Sequence, residues 1–245
     1  MLFFFSWITH RRFGNGTIVA NIRTSILYLK SSTPNKIIFS VFFTTVAIAI
    51  ISIPHYWQYS PPPLSKSILT GITKEGHPWI GAERPKLTID EYTDYQCFQC
   101  YKTHYNLRQL IAKYPDRIRL VHHHYPMDNE VNSVIVPKPF HVGSGKMAQL
   151  AIYALSKQKF WQINDLLYEL GRNKGSFDLK IVSEKIEIPE EELAWSLESK
   201  EVKEILRYDI WHGMKLGITG TPAFVIEGKI YSGTIPPEII KGILY

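Results

Sequence analysis

Residues 37–53, Ile-Ile-Phe-Ser-Val-Phe-Phe-Thr-Thr-Val-Ala-Ile-Ala-Ile-Ile-Ser-Ile, carry no charge and only Ser and Thr as polar interruptions. A helix needs about 20 residues to cross a bilayer core. Adding residues 54–57 reaches that length, and Tyr56 and Trp57 suit the headgroup belt. Beyond this stretch the apolar pattern is that of a mixed α/β domain. Residues 86–92 (Lys-Leu-Thr-Ile-Asp-Glu-Tyr) alternate imperfectly, as a buried central strand does. After a turn at 93–96, Leu107, Leu110, Ile111 and Tyr114 recur at helical spacing and predict a helix over 98–114. Pro115-Asp116 breaks it, and residues 118–125 form a second strand, which completes a strand–helix–strand unit.

Further along, residues 146–155, 158–170, 179–185 and 190–216 read as helices, broken by Gly143-Ser-Gly145, the Gly171 to Gly175 turn and Pro189. Apolar positions such as Phe160, Ile163, Leu166, Leu167 and Leu170 make a core stripe. The Gly171 to Gly175 turn reads as a solvated loop and not a phosphate site, because no strand–loop–helix context surrounds it. Residues 223–226 and 229–232 predict a hairpin around Glu227-Gly228. Pro222 stands directly before its first strand, where no ladder hydrogen bond is lost and a cis bond is tolerated. A short helix opening on proline closes the chain at 236–244.

Charge sharpens this division. The formal net charge is +6, but residues 1–74 hold Arg11, Arg12, Arg23, Lys30, Lys36, Lys66 and Lys74 and no acid; Glu75 is the first carboxylate. Acids and bases nearly balance thereafter, so the basic character gives no reason to expect nucleic-acid binding. The cations preceding residue 37 place the N-terminus in the cytoplasm and residues beyond 57 outside. A cleavable signal peptide would have a shorter basic region and a small-x-small site after Ile53, so a retained anchor is expected. Pro61-Pro-Pro63 reads as a stiff spacer. The expected organisation is a basic cytoplasmic segment (1–36), a transmembrane anchor (37–57), a Pro-rich linker (58–76) and an extracytoplasmic domain (77–245).

The chain has only two cysteines, Cys97 and Cys100, at the start of the first domain helix. Three chemistries use such a pair. A structural disulfide closing so short a loop would stabilise the fold little. Zinc wants four ligands; no second pair exists, and His104 lacks a clear fourth companion. Haem attachment needs His where Tyr101 stands. A redox pair fits the oxidising compartment. At the helix N-cap, free N–H groups and the positive end of the helix dipole would stabilise a Cys97 thiolate. Cys100, one turn in, would be the more buried, resolving thiol. Glu91, six residues before Cys97, is either an exposed strand residue or a buried acid that exchanges protons with Cys100. On a strand His122 and His124 share one face and His123 takes the other, so the three cannot converge on a metal, and a packed strand end is expected. His141 and His212 have no assigned role. The Pro-containing connection over 127–140 is expected to line a substrate groove.

Two signatures about 120 residues apart carry a resemblance: Glu-x-x-Asp-Tyr-x-Cys-x-x-Cys, formed by Glu91, Asp94, Tyr95, Cys97 and Cys100, and Gly-x-x-Gly-Thr-Pro-Ala-Phe-Val, formed by Gly217 and residues 220–225. With the element order, they resemble the DsbA-like thiol–disulfide oxidoreductases of the thioredoxin fold, from about residue 77 to 244. That resemblance implies a helical subdomain inserted over about 140–216. It also implies thiol–disulfide exchange through a redox-active Cys97–Cys100 disulfide, without organic cofactor or metal, with Cys97 attacking and Cys100 resolving. Pro222 would face the pair, present the Thr221 backbone to an extended substrate and keep metals off the thiols. Implied partners are cysteine-containing exported proteins and a quinone-linked membrane thiol oxidoreductase that recharges the pair. Strong oxidants of the family often carry Pro-His between the cysteines. Phe98-Gln99 supplies no imidazole there, which leaves the direction of electron flow open. The competing reading is a non-catalytic thioredoxin-fold binding module with a static disulfide.

Overall fold

The computed structural model describes residues 33–57, 68–172 and 178–244. The basic segment up to residue 32, the Pro61 to Pro63 spacer and residues 173–177 of the expected glycine loop lie outside these. The chain divides into two compact units, Met1–Tyr59 and Ser60–Tyr245.

In the first unit a helix α1 spans Thr33–Trp57, 25 residues. Thr44 and Thr45 turn their hydroxyls back onto the carbonyls of Ser40 and Val41, each at 2.8 Å, which satisfies these groups within the helix. Among the described residues no helix is long and apolar enough to cross a membrane. The described side chains of α1 run only from Ile37 to Ile51, without Phe39, so this part alone does not meet the expected span.

The second unit is built on a six-stranded sheet of order β1-β2-β4-β3-β5-β6. Its strands are β1 (Leu69–Ile72), β2 (Pro78–Gly81), β3 (Leu87–Thr93), β4 (Ile118–His124), β5 (Ala223–Ile226) and β6 (Lys229–Ser232). Only β3 and β4 run parallel, joined through helix α2 (Phe98–Lys113); every other neighbouring pair is antiparallel. The expected strand–helix–strand unit and hairpin are therefore both present. Strands β1 and β2 are additions. The expected linker over 58–76 contains β1, whose short, mostly exposed Leu-Thr-Gly-Ile gives little alternation to read. Arg119 of β4 ties this edge down by donating to Ala82 O at 2.9 Å and to Glu83 O.

Register sets the two faces. Glu91 pairs with His122 and Phe224, and Tyr92 with His123 and Ala223. Side chains alternate across a strand, so Leu87, Ile89 and Glu91 share a face with Ile118, Leu120 and His122. This face meets α2, which buries Cys100, His104, Leu107, Arg108 and Ile111. Tyr92 and Ala223 point the other way, into a cluster with Tyr125, Ala148, Ile152, Val202, Leu206 and Ile210.

Among the described residues five helices stand between β4 and β5: α3 (Ser144–Ser156), α4 (Phe160–Arg172), α5 (Leu179–Ile186), α6 (Glu190–Glu198) and α7 (Lys200–Lys215). The stretch expected as one helix over 190–216 is two. Ser199 is extended (φ −60°, ψ 125°), ends α6 and caps α7 by accepting the Val202 N–H at 3.4 Å. The closing helix, α8, runs Pro237–Leu244.

One contact locks the helical cap against the turn before α2. Gly171 of α4 lies so close to Tyr95 that a Cβ there would stand 2.1 Å from its carbonyl oxygen. Backbone cannot step aside as a side chain can. Gly171→Ala should lower stability by about 1–3 kcal/mol through overpacking, read as a reduced urea midpoint; an unchanged midpoint would show that the cap and the turn are not held together here.

Candidate active site

Cys97 is the N-cap of α2 (φ −78°, ψ 113°). Its Sγ accepts the Cys100 backbone N–H at 3.2 Å and lies 3.7 Å from Thr221 O. Thr221 precedes Pro222 through a cis bond. The site residues expected from the sequence around the thiols thus converge: Cys97, Cys100 and the Thr221-Pro222 pair meet at one helix end. Both cysteines are free thiols and buried, Cys100 completely.

Their environments separate them electrostatically. Contact with the Cys100 thiol lowers the pKa of Cys97 most; burial opposes this, and the Cys100 amide adds to the lowering, bringing Cys97 to about 7 from 9.0. Burial pushes the Cys100 thiol well up, and the neighbouring Cys97 pushes it further. The outer sulfur is therefore the acidic one, the inner sulfur a protonated thiol at neutral pH.

The turn carrying Cys97 is held by Asp94, which is 1% exposed. Its Oδ1 accepts the N–H groups of Gln96 at 2.6 Å and Cys97 at 3.1 Å. Its Oδ2 accepts the Met127 N–H at 2.6 Å and the Ser144 hydroxyl at 2.8 Å, and stands 3.2 Å from His141 Nδ1. Burial disfavours a charged His141, but Asp94, with Cys97 and Asp128 behind it, outweighs burial and raises its pKa. An imidazole absent from between the cysteines thus stands beside the turn, supplied by the connection that follows β4. The local signal that could have found Asp94 is an Asx turn, two and three residues ahead of the amides it accepts. His141 and Ser144, nearly 50 residues on, left no comparable signal.

Glu91 is fully buried, so the strand position does point it beneath α2. Its hydrogen bond runs to His104, Oε2 to Nδ1 at 2.6 Å, and not to Cys100. His104 Nε2 lies 3.0 Å from Asn164 Nδ2, and Asn164 Oδ1 accepts the Tyr95 hydroxyl at 3.1 Å. With the Asn164 amide in this orientation, His104 carries its proton on Nδ1 and donates to Glu91. Glu91 Oε1 has no hydrogen-bond partner among the described residues. From the sequence His104 offers itself only as a metal ligand; in the structure it positions Glu91. His122 and His124 do share one face, 3.2 Å apart. Burial pulls both pKa values down, that of His124 to about 3.

Among the described residues two groups bring potential metal-ligand atoms within 4.8 Å of one another: Glu91, His104 and His122, and, on the other side of the sheet, His77, His123 and Asp209. Around the thiols, Phe98 is 53% exposed, and Phe140 and Val142 lie exposed on the incoming connection. Gln96 Nε2 holds that connection by donating to Val142 O at 2.7 Å.

A dithiol at the N-cap of a parallel crossover helix, facing a cis-proline loop, defines the class: a thioredoxin-fold protein with a paired-cysteine site. A family model described as thioredoxin matches residues 73–245, and the chain belongs to that family. Solved structures of similar fold include a thioredoxin-like oxidoreductase from Silicibacter pomeroyi, 21% identical with a TM-score of 0.54, covering 70% of this chain and 91% of that one. Another is DsbA2 from Pseudomonas aeruginosa, 22% identical with a TM-score of 0.52, over 67% and 91% of the two chains. The thiol–disulfide exchange protein alpha-DsbA2 from Wolbachia pipientis is 19% identical with a TM-score of 0.51, over 68% and 84%. A curated Na(+)/H(+) antiporter, NhaA 3 of Salinispora tropica, is 22% identical over 161 residues; the match takes 66% of this chain but spans 23% of that protein.

The separation of the two thiols has a pH signature. Iodoacetamide should modify Cys97 with a rate that is half-maximal near pH 7 and leave Cys100 unmodified in the folded protein. A folded-state pKa below the unfolded one stabilises the reduced fold above the unfolded value and loses that contribution as pH falls through the folded one. The reduced protein should therefore gain stability from about pH 7 to about pH 9, below the range where the raised Cys100 acts oppositely. A reaction midpoint near 9 would contradict the assignment.

Proposed function

We propose that this chain is a membrane-tethered, extracytoplasmic protein thiol–disulfide oxidoreductase, with Cys97 as the exchanging sulfur and Cys100 as the resolving one. The observation that carries this reading is the Cys97 thiol, held at a helix N-cap 3.2 Å from the Cys100 amide and facing Thr221 O. In the oxidising direction a substrate thiolate attacks Cys97 Sγ of the Cys97–Cys100 disulfide, forming a mixed disulfide and expelling Cys100 as a thiolate, which takes up a proton. A second substrate thiolate then attacks the substrate sulfur and expels Cys97. In the reducing direction the same steps run backwards.

A Cys97 pKa of about 7 suits exchange either way, because an attacking thiol works best with a pKa near the ambient pH. Glu91, with a free Oε1 beneath α2, is the residue we assign to proton exchange with Cys100, and His104 holds it in place. The exposed Phe98, Phe140 and Val142 offer an apolar rim for an unfolded segment, and the Thr221 backbone offers it hydrogen bonds ahead of Pro222. Substrates on this reading are exported proteins with cysteines, recharging falls to a quinone-linked membrane partner, and no organic cofactor is needed.

The tether rests on α1. At 1.5 Å per residue its 25 residues extend about 37 Å, enough for a bilayer core. Ile37, Ile38, Val41, Phe42, Phe43, Ile48, Ile50 and Ile51 are exposed around the helix, an apolar circumference that lipid would satisfy. The cations before it orient the N-terminus to the cytoplasm.

Replacing Cys100 by Ser removes the resolving thiol. The Cys100→Ser protein should accumulate covalent adducts with envelope proteins that dithiothreitol releases, and the double variant Cys97→Ser/Cys100→Ser should accumulate none. Absence of adducts from Cys100→Ser would instead favour a binding module with a static disulfide.

A further inference from the structure

Two histidines and an aspartate that the thiol chemistry does not use meet on the sheet face away from α2. His77 lies just before β2, His123 on β4 and Asp209 on α7, and their ligand atoms lie within 4.8 Å of one another. Three features distinguish this group from an ordinary buried ion pair. Asp209 is 1% exposed; its Oδ2 accepts the His124 N–H at 3.0 Å, while Oδ1 has no hydrogen-bond partner among the described residues. His123 pairs its Nε2 with Asp90 Oδ1 at 2.9 Å, and its buried Nδ1 is likewise without a partner. His77 Nδ1 stands 3.4 Å from that same Asp209 Oδ1, at ion-pair distance without hydrogen-bond geometry.

Each feature has the form a metal ligand takes. A ligating histidine characteristically gives its other ring N–H to a carboxylate, which fixes the tautomer and turns a lone pair toward the ion. Asp90 does this for His123: with the proton on Nε2, Nδ1 is left as a bare acceptor inside the protein. Asp209 is oriented in the same way by the His124 amide, so that one oxygen is used and the other is free. Two unused acceptors in a buried place are costly unless something positive sits between them. Ligands bonded at about 2.1 Å to a tetrahedral ion stand about 3.4 Å apart, which is the separation of His77 Nδ1 and Asp209 Oδ1. The remaining ligand-atom separations are within 4.8 Å, and the His123 ring is held by stacking on Tyr92 at 4.5 Å between centroids. His77, with a side chain 12% exposed, leaves a route in.

We propose that His77, His123 and Asp209 form a binding site for a divalent transition-metal ion of the zinc class, with the fourth position open to water. Two imidazoles and a carboxylate suit zinc and neighbouring borderline ions more than calcium or magnesium, which prefer all-oxygen shells. The ion would join the turn before β2, β4 and α7, and so clamp the sheet edge to the cap on the face opposite the thiols. A metal there would not block Cys97.

The test uses the full-length protein with Cys97 and Cys100 oxidised, so that the thiols cannot bind metal. Titrated with zinc chloride and desalted, it should retain one equivalent by elemental analysis and show a higher melting temperature with zinc than with chelator, as a ligand specific to the folded state requires. His77→Ala should weaken zinc binding at least tenfold and abolish the zinc-dependent shift, while its metal-free melting temperature stays close to that of the parent. If His77→Ala does not fold, Asp209→Asn, nearly isosteric, should lose the same shift. Retention of less than a tenth of an equivalent by the parent, or equal zinc affinity in the folded variant, would overturn the proposal.

Discussion

A carboxylate sealed from water must be surrounded by donors, and Asp94 meets that constraint by gathering three parts of the chain. It takes the amides of the Cys97 turn on one oxygen. On the other it takes the Met127 amide, the Ser144 hydroxyl and the approach of His141. Removing any of these elements would leave an underpaired buried charge, which costs far more than a surface contact. The turn that caps α2, the connection leaving β4 and the first residues of the cap are therefore fixed by one another. The thiol geometry follows, because the N-cap position of Cys97 is set by the same turn.

The two faces of the sheet then treat their polar groups differently. Under α2, Tyr95, Asn164 and His104 form a directed series ending on Glu91, and neutral histidines fill the remaining space. Such a network holds one carboxylate oxygen still and leaves the other without a partner among the described residues. On the opposite face His123 and Asp209 each keep one partner and one unused atom, an arrangement suited to an added cation. Pairing register accounts for the division: Glu91 faces with His122, and Tyr92 faces with His123.

Local information explains what the sequence revealed. Strands β3 and β4, helix α2 and the β5–β6 hairpin carry strong periodicity and clear breakers, and all four were legible. The Cys97 N-cap was legible for the same reason, as were the greater burial of Cys100 and the alternation of the three histidines. Strand β1 was not, because four residues at a sheet edge carry no pattern, and the linker expectation covered it. The break at Ser199 was hidden by helix-forming residues on both sides. His104 under Glu91, and His141 and Ser144 on Asp94, depend on contacts 13 to 50 residues apart, where pairing is decided by tertiary packing. For Glu91 the sequence leaves exposure and burial both open; the structure buries it and gives it a histidine partner that no local pattern signals.

If Asp94 joins the thiol turn to the connection, their amides must open together. Native-state hydrogen exchange on the reduced protein measures this directly. The amides of Gln96, Cys97 and Met127 should share one opening free energy in the parent and lose protection by the same amount in Asp94→Asn. Independent opening of Met127, or a loss confined to Gln96 and Cys97, would contradict the account.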